Sequence, residues 1–167
     1  MKSPSLDSHD MSVESKLYMH TFQGEWEKVE KLYETNRDVW STDITSSGDT
    51  ALHMAINEDK EDVVVRLVDI IVKAADGGGG RQEDDKEKAK EALSKANEVG
   101  DTPLHRAAAR GSMKMCNRIV DEETKSVGLL KKANEWGETP LFVAALCNRK
   151  DAFIYLFREA HKIHGEE

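Results

Sequence analysis

One twelve-residue phrase recurs in this chain, and it constrains the fold more than any other feature. "GDTPLHRAAARG" from Gly100 has close copies in "GDTALHMAINED" from Gly48 and "GETPLFVAALCN" from Gly137. A shorter fourth copy, "LYMHTFQG" from Leu17 to Gly24, lacks the entry turn but keeps the frame. The equivalent leucines are Leu17, Leu52, Leu104 and Leu141, at steps of 35, 52 and 37 residues. Units repeated at such intervals bury their apolar faces against the neighbouring copy, so the expected fold is an all-α repeat solenoid.

Each position of the phrase has a local reason. Gly48, Gly100 and Gly137 stand where a tight hairpin needs positive φ. Thr50, Thr102 and Thr139 are placed as helix N-caps, each hydroxyl taking an orphan N–H. Pro103 and Pro140 follow at the first helical position, where a missing N–H costs nothing; Ala51 replaces proline in the earlier copy. The leucines start a buried stripe, and Ala55, Ala107, Ala108, Ala144 and Ala145 let helices approach closely. Gly24, Asp59, Gly111 and Asn148 end the inner helices, being residue types that tolerate the left-handed conformation. In the outer helices Val29, Val64, Cys116 and Phe153 are equivalent. They sit three residues before Leu32, Leu67, Ile119 and Leu156, with Tyr33, Val68, Val120 and Phe157 completing an amphipathic face.

The combination of T-P-L-H-x-A with a period near 33 identifies the chain as resembling ankyrin repeats. The resemblance runs from about residue 15 to 159. It implies helix-turn-helix pairs with hairpin fingers, divided as 15–47, 48–99, 100–136 and 137–159 between a disordered tail over 1–14 and a C-terminal tail over 160–167. The wording of "GEWEKVEKLYETNRDVWSTDITSSGDTALHMAI" and "KANEVGDTPLHRAAARGSMKMC" is similar to the N-terminal arrays of plant ankyrin proteins whose longer members end in a membrane-anchored PGG domain. That resemblance implies a place in stress or defence signalling.

The 52-residue step carries roughly nineteen residues beyond a standard repeat. They fall in "VKAADGGGGRQEDDKEKAKEALSKANE". Gly77 to Gly80 read as a flexible break, and the insertion near 76–90 as mobile. The outer helix is expected to reach about Ala75. From Glu83 to Lys95 acids precede lysines, the polarity a helix dipole favours, and Ala89, Ala92, Leu93 and Ala96 offer a narrow apolar stripe.

Composition narrows the function. A formal net charge of -8 without a compact Lys/Arg block argues against nucleic acid as a partner. Cys116 and Cys147 form no CxxC pair, so a reducing compartment is expected. The opening "MKSPSLDSHD" lacks the apolar core of a secretory signal. The longest apolar run, Val63 to Val72, is broken by Arg66 and Asp69 and is too short to span a bilayer.

Residues that could suggest chemistry have structural explanations. His53 and His105 recur with the repeat and resemble the ankyrin histidine that links the cap threonine to the backbone of the adjacent repeat; Phe142 stands in that position in the last copy. "GGGGR" lacks the G-K-[ST] of a phosphate loop. His161 and His164 lack further ligands, so no metal is expected, and they read as a solvated helix end. Cys116 falls on a buried face, whereas Cys147 falls toward the groove. Trp26 and Trp40 are expected to cover the end of the first repeat.

The expected function is a non-catalytic, cofactor-free scaffold that binds a protein partner. The chain is expected to be cytoplasmic, or to lie at the cytosolic face of a membrane if it belongs to a longer anchored protein. The family's pattern puts the partner surface at the finger tips, here Ser46, Ser47, Asp49, Glu98, Val99, Asp101, Glu135, Trp136 and Glu138. The inner-helix ends add Phe22, Gln23, Asn57, Glu58, Arg110, Leu146 and Cys147. Trp136, at an exposed tip among acids, is the expected anchor. The alternative reading is a fragment of a membrane-anchored ankyrin protein whose main contact is end-on, with itself or with a missing C-terminal part, through the apolar last repeat with Ile154, Leu156 and Phe157.

Overall fold

The computed structural model describes residues 11–76, 82–120 and 127–164, and every regular element among them is helical. Four helix pairs form the stack: α1 (Val13–Phe22) with α2 (Trp26–Thr35), α3 (Ala51–Asn57) with α4 (Glu61–Asp76), α6 (Pro103–Arg110) with α7 (Met113–Ile119), and α9 (Pro140–Leu146) with α10 (Lys150–His164). Between pairs lie a 3-10 turn (Arg37–Ser41), α5 (Gln82–Ser94) and the short α8 (Val127–Lys131). The inner helices pack in the order α1, α3, α6, α9 and the outer ones in the order α2, α4, α7, α10. Each pair therefore covers its predecessor.

The local rules read from the phrase operate as expected. Gly48, Gly100 and Gly137 have φ of 73°, 80° and 76°. Thr50 and Thr139 accept the backbone N–H of His53 and Phe142. Inner helices end at Gly24, Asp59, Gly111 and Asn148, all with positive φ. The core runs the length of the stack, from Leu17, Val29 and Tyr33 through Leu52, Val64 and Leu67 to Leu104, Cys116 and Ile119, all fully buried. Trp26 and Trp40 are also buried, and the Trp40 indole N–H donates to the Tyr33 carbonyl at 2.9 Å.

Some boundaries differ from expectation. Helix α1 starts at Val13, inside the stretch expected as a tail, because Ser12 Oγ caps the Ser15 N–H. Helix α10 runs on to His164 rather than ending near residue 159. The inserted segment is helical from Gln82, so residues 82–90 are not a mobile loop; Gly77 to Gly80 lie outside the described residues. Helix α5 is held by its stripe, with Ala89, Ala92 and Leu93 buried against α4 and the 3-10 turn. Buried Asp85 pairs with Arg37, and Lys95 with Asp43 at 3.2 Å. The insertion thus clips the end of the first pair to the second.

The fingers impose a steric test. A Cβ on Gly100 would meet the Glu135 backbone N at 2.6 Å and the Asn134 Cα at 2.9 Å, whereas one on Gly137 would meet nothing within 4 Å. Gly137→Ala should therefore cost only the left-handed penalty, about 1–2 kcal/mol, and Gly100→Ala should cost at least about 1 kcal/mol more. Urea unfolding of the two variants side by side checks the order.

Candidate partner-binding surface

Three fingers are built on one plan. In each, a four-residue turn is closed by a glycine N–H: Gly48 to the Thr45 carbonyl, Gly100 to Asn97 and Gly137 to Asn134. The first residue organises the rest. Asn97 Oδ1 accepts the N–H groups of Val99 and Asp101, and Asn134 Oδ1 those of Trp136 and Glu138. Thr45 Oγ1 does the same for Asp49 at 2.9 Å. These Asn and Thr side chains act as local turn formers of the Asx and ST type.

The fingers are then zipped together. The Glu98 N–H donates to the Ser47 carbonyl at 2.9 Å, and the Glu135 N–H to the Val99 carbonyl at 3.1 Å. Asn97 Nδ2 donates to Asp49 at 2.8 Å and Asn134 Nδ2 to Asp101 at 3.0 Å. Asn97 and Asn134 were not among the expected site residues. Their recurrence three residues before each turn glycine is the signal that could have marked them.

The zipper reduces the expected acidic tip. Asp49 is only 7% exposed, with its carboxylate accepting from Asn97, so it belongs to the scaffold rather than to a contact surface. Asp101 is half-buried, accepts from Asn134 and faces the Arg106 guanidinium at 3.3 Å. Glu138 is half-buried and accepts from the same Asn134 amide. Ser46, Ser47, Glu98, Glu135 and Trp136 remain exposed, with Val99 half-buried between them. Trp136 is 67% exposed, and its backbone N–H is held by Asn134 at 3.1 Å.

The inner-helix ends divide in the same way. Arg110 is committed to the previous pair, donating to the Asn57 carbonyl and facing Asp59, and so stabilises the C-terminal end of α3. Arg149 repeats the device on the Ala109 carbonyl at 2.9 Å. Asn57 is half-buried, while Phe22, Gln23, Glu58, Leu146 and Cys147 are exposed. Tyr18 lies beside Phe22 with ring centroids 4.5 Å apart and is also exposed; their i, i+4 spacing could have flagged the pair.

The histidines join fingers to helices. Nδ1 of His53 accepts the Thr50 backbone N–H at 3.2 Å, which puts the proton on Nε2, and Nε2–H donates to the Asp101 carbonyl of the next finger at 3.1 Å. His105 repeats this with Thr102 at 3.1 Å and the Glu138 carbonyl at 2.9 Å. Burial holds both imidazoles below the ordinary histidine value. Burial also pushes the Cys116 thiol up to about 12, which leaves it protonated and unreactive. His161 is exposed at the end of α10, and the His164 side chain lies outside the described residues. Among the described residues no cluster of three His, Cys, Asp or Glu could hold a metal ion, and no helix is long and apolar enough to cross a membrane.

The finger-and-helix-pair stack defines a class, the repeat scaffolds, and comparison with known proteins places the chain within it. A family model described as ankyrin repeats (3 copies) matches residues 17–122 and 81–165, so the chain belongs to the ankyrin-repeat family, whose fold typically serves as a protein-binding scaffold. A chain in the crystal structure of the yeast ribosomal protein Rps3 in complex with its chaperone Yar1 is similar, with a TM-score of 0.67 and 20% identity over 93% of this chain and 95% of that one. The ankyrin repeat protein EF0377 is similar with a TM-score of 0.61 and 18% identity, over 90% of this chain and 63% of that one. Comparison with curated protein sequences gave no match.

The depressed histidines make stability depend on pH. The folded state keeps both imidazoles neutral, while in the unfolded chain they bind protons near pH 6.5. Their contribution is full above that value and is lost as pH falls towards their folded values. The urea midpoint should drop between pH 7 and pH 5. A His53→Gln/His105→Gln variant, whose amides can still reach the finger carbonyls, should show a smaller drop over the same range.

Proposed function

We propose that this chain is a non-catalytic scaffold that captures a protein segment on its finger tips, with Trp136 as the anchor. The observation that carries this reading is the Trp136 indole, two-thirds exposed on a finger whose backbone is fixed by Asn134 and the preceding finger. A large ring held at low conformational cost contributes strongly when a partner covers it. Glu135 and Glu98 beside it favour a partner segment with a basic residue next to an aromatic or aliphatic side chain. Ser46, Ser47 and Val99 extend the tip surface, and Phe22, Gln23, Glu58, Leu146 and Cys147 extend it along the inner helices. The resemblance of its wording to plant PGG-domain ankyrin arrays supports a setting in stress or defence signalling in the cytoplasm, or at the cytosolic face of a membrane if the chain belongs to a longer anchored protein. The occurrence of a similar fold in a ribosomal protein–chaperone complex is in keeping with capture of a protein segment.

Trp136→Ala should weaken partner binding by more than about 1 kcal/mol and leave the urea midpoint unchanged. Comparative affinity capture with wild type, Trp136→Ala and Glu135→Lys, followed by titration of the captured partner, checks this. An affinity unchanged by Trp136→Ala would remove the indole from the site.

A further inference from the structure

The three fingers set equivalent residues in a row. Ser46, Glu98 and Glu135 follow the first residue of each turn, and Ser47, Val99 and Trp136 come next, before the glycine. The N–H of the second residue bonds the carbonyl of the third residue in the preceding finger, Glu98 to Ser47 at 2.9 Å and Glu135 to Val99 at 3.1 Å. One Cα step of about 3.8 Å along a turn and about 5 Å across that bond put equivalent residues about 9 Å apart. Packed helices have the same spacing, about 8–10 Å, so the tips keep step with the helices beneath them.

The row carries charge that the chain itself leaves unanswered. Glu98 and Glu135 are exposed, and among the described residues neither side chain makes a hydrogen bond or an ion pair. Asp49, Asp101 and Glu138, by contrast, accept from Asn97 and Asn134. Most cations beside the fingers are committed: Lys95 to Asp43, Arg106 to Asp101 and Lys132 to the Ser94 carbonyl. Lys131 is exposed at the end of α8. Next to the two acids stand half-buried Val99 and the exposed Trp136 indole. A partner in register with this row needs a cation at each acidic finger and compact apolar groups between.

A step of about 9 Å also selects the partner's backbone. A β-strand returns side chains to one face at about 6.7 Å, and an α-helix at about 5.4 Å or, after seven residues, about 10.5 Å. Neither keeps step with the fingers. A polyproline II helix repeats every three residues at about 3.1 Å each, about 9.3 Å per turn. It is preformed, so little entropy is lost on docking, and aromatic surfaces accept its prolines. Taking the finger tips as the capture site, we propose that the partner segment is a polyproline II stretch with arginine at every third position. Consecutive arginines meet Glu98 and Glu135, and the intervening prolines pack on Val99 and Trp136. Arginine suits the site because its fork bonds a carboxylate through two N–H groups. The first finger carries Ser46 where the others carry glutamate, which leaves room for a third acid in the row.

Fluorescence anisotropy of a labelled peptide of about twelve residues, four turns of Arg-Pro-Pro, tests this with the whole chain in about 50 mM salt. The comparison peptide has the same composition with its arginines at every second position. The in-register peptide should bind at least about threefold more tightly, and Glu98→Gln/Glu135→Gln should abolish that preference. Ser46→Glu should raise affinity for the in-register peptide about threefold. Glu83→Gln/Glu87→Gln, which removes the same charge from exposed positions on α5, should leave the preference intact. Equal binding of both peptides or no binding up to about 1 mM overturns the proposal. So does a preference that survives loss of Glu98 and Glu135, one that is lost equally in the α5 variant, or no gain from Ser46→Glu. The capture reading has its own readout: if Trp136→Ala weakens a captured partner while the peptides fail, the tips stand as the site and only the polyproline II register falls.

Discussion

The structure depends on a tether that each repeat extends to the next. His53 and His105 sit at the base of an inner helix and join three things at once: the threonine at the helix start, the helix itself and the carbonyl of the following finger. A buried carbonyl without a donor is costly, so the imidazole fixes where the next finger must lie. Once that position is set, finger-to-finger bonds such as Glu135 N–H to the Val99 carbonyl can form. The tips then become rigid, and rigidity lets an exposed indole act as an anchor rather than as a mobile surface group.

The last copy lacks this tether. Phe142 takes the histidine position there, and its ring carries no donor for a carbonyl. The apolar face beyond it is left with rings in place of small side chains. The fourth pair therefore differs from the second and third at this position: a hydrogen-bonding brace is exchanged for aromatic surface.

Much of the fold was legible because ankyrin geometry is enforced locally. A positive-φ position admits glycine, asparagine or aspartate and little else, so Gly48, Gly111 and Asn148 mark turns without reference to the rest of the chain. The candidate site was less legible. Asp49 and Glu98 look alike in sequence, as acids beside a turn, yet one is buried under an asparagine amide and the other is free. Arg110 looked like a groove residue because its position in the repeat faces inward. Its guanidinium instead closes the end of the preceding inner helix, a contact 53 residues away in the chain.

The sequence by itself determined the class of fold and the turns and caps that start the helices after each finger, because these follow from short-range chemistry that recurs with the repeat. The resemblance to ankyrin repeats implied the brace role of the histidines. Tertiary structure decided which polar side chains remain available and which apolar ones remain uncovered. Both depend on whether a neighbouring repeat supplies a partner. The insertion helix shows this most clearly: its narrow alanine stripe permits a helix, but only packing on α4 and the 3-10 turn, with Asp85 paired to Arg37, places it as a clip between the first two pairs. Trp136 stays exposed because the bonds that join its finger to the preceding one run through the Glu135 backbone and the Asn134 amide and leave the indole outside.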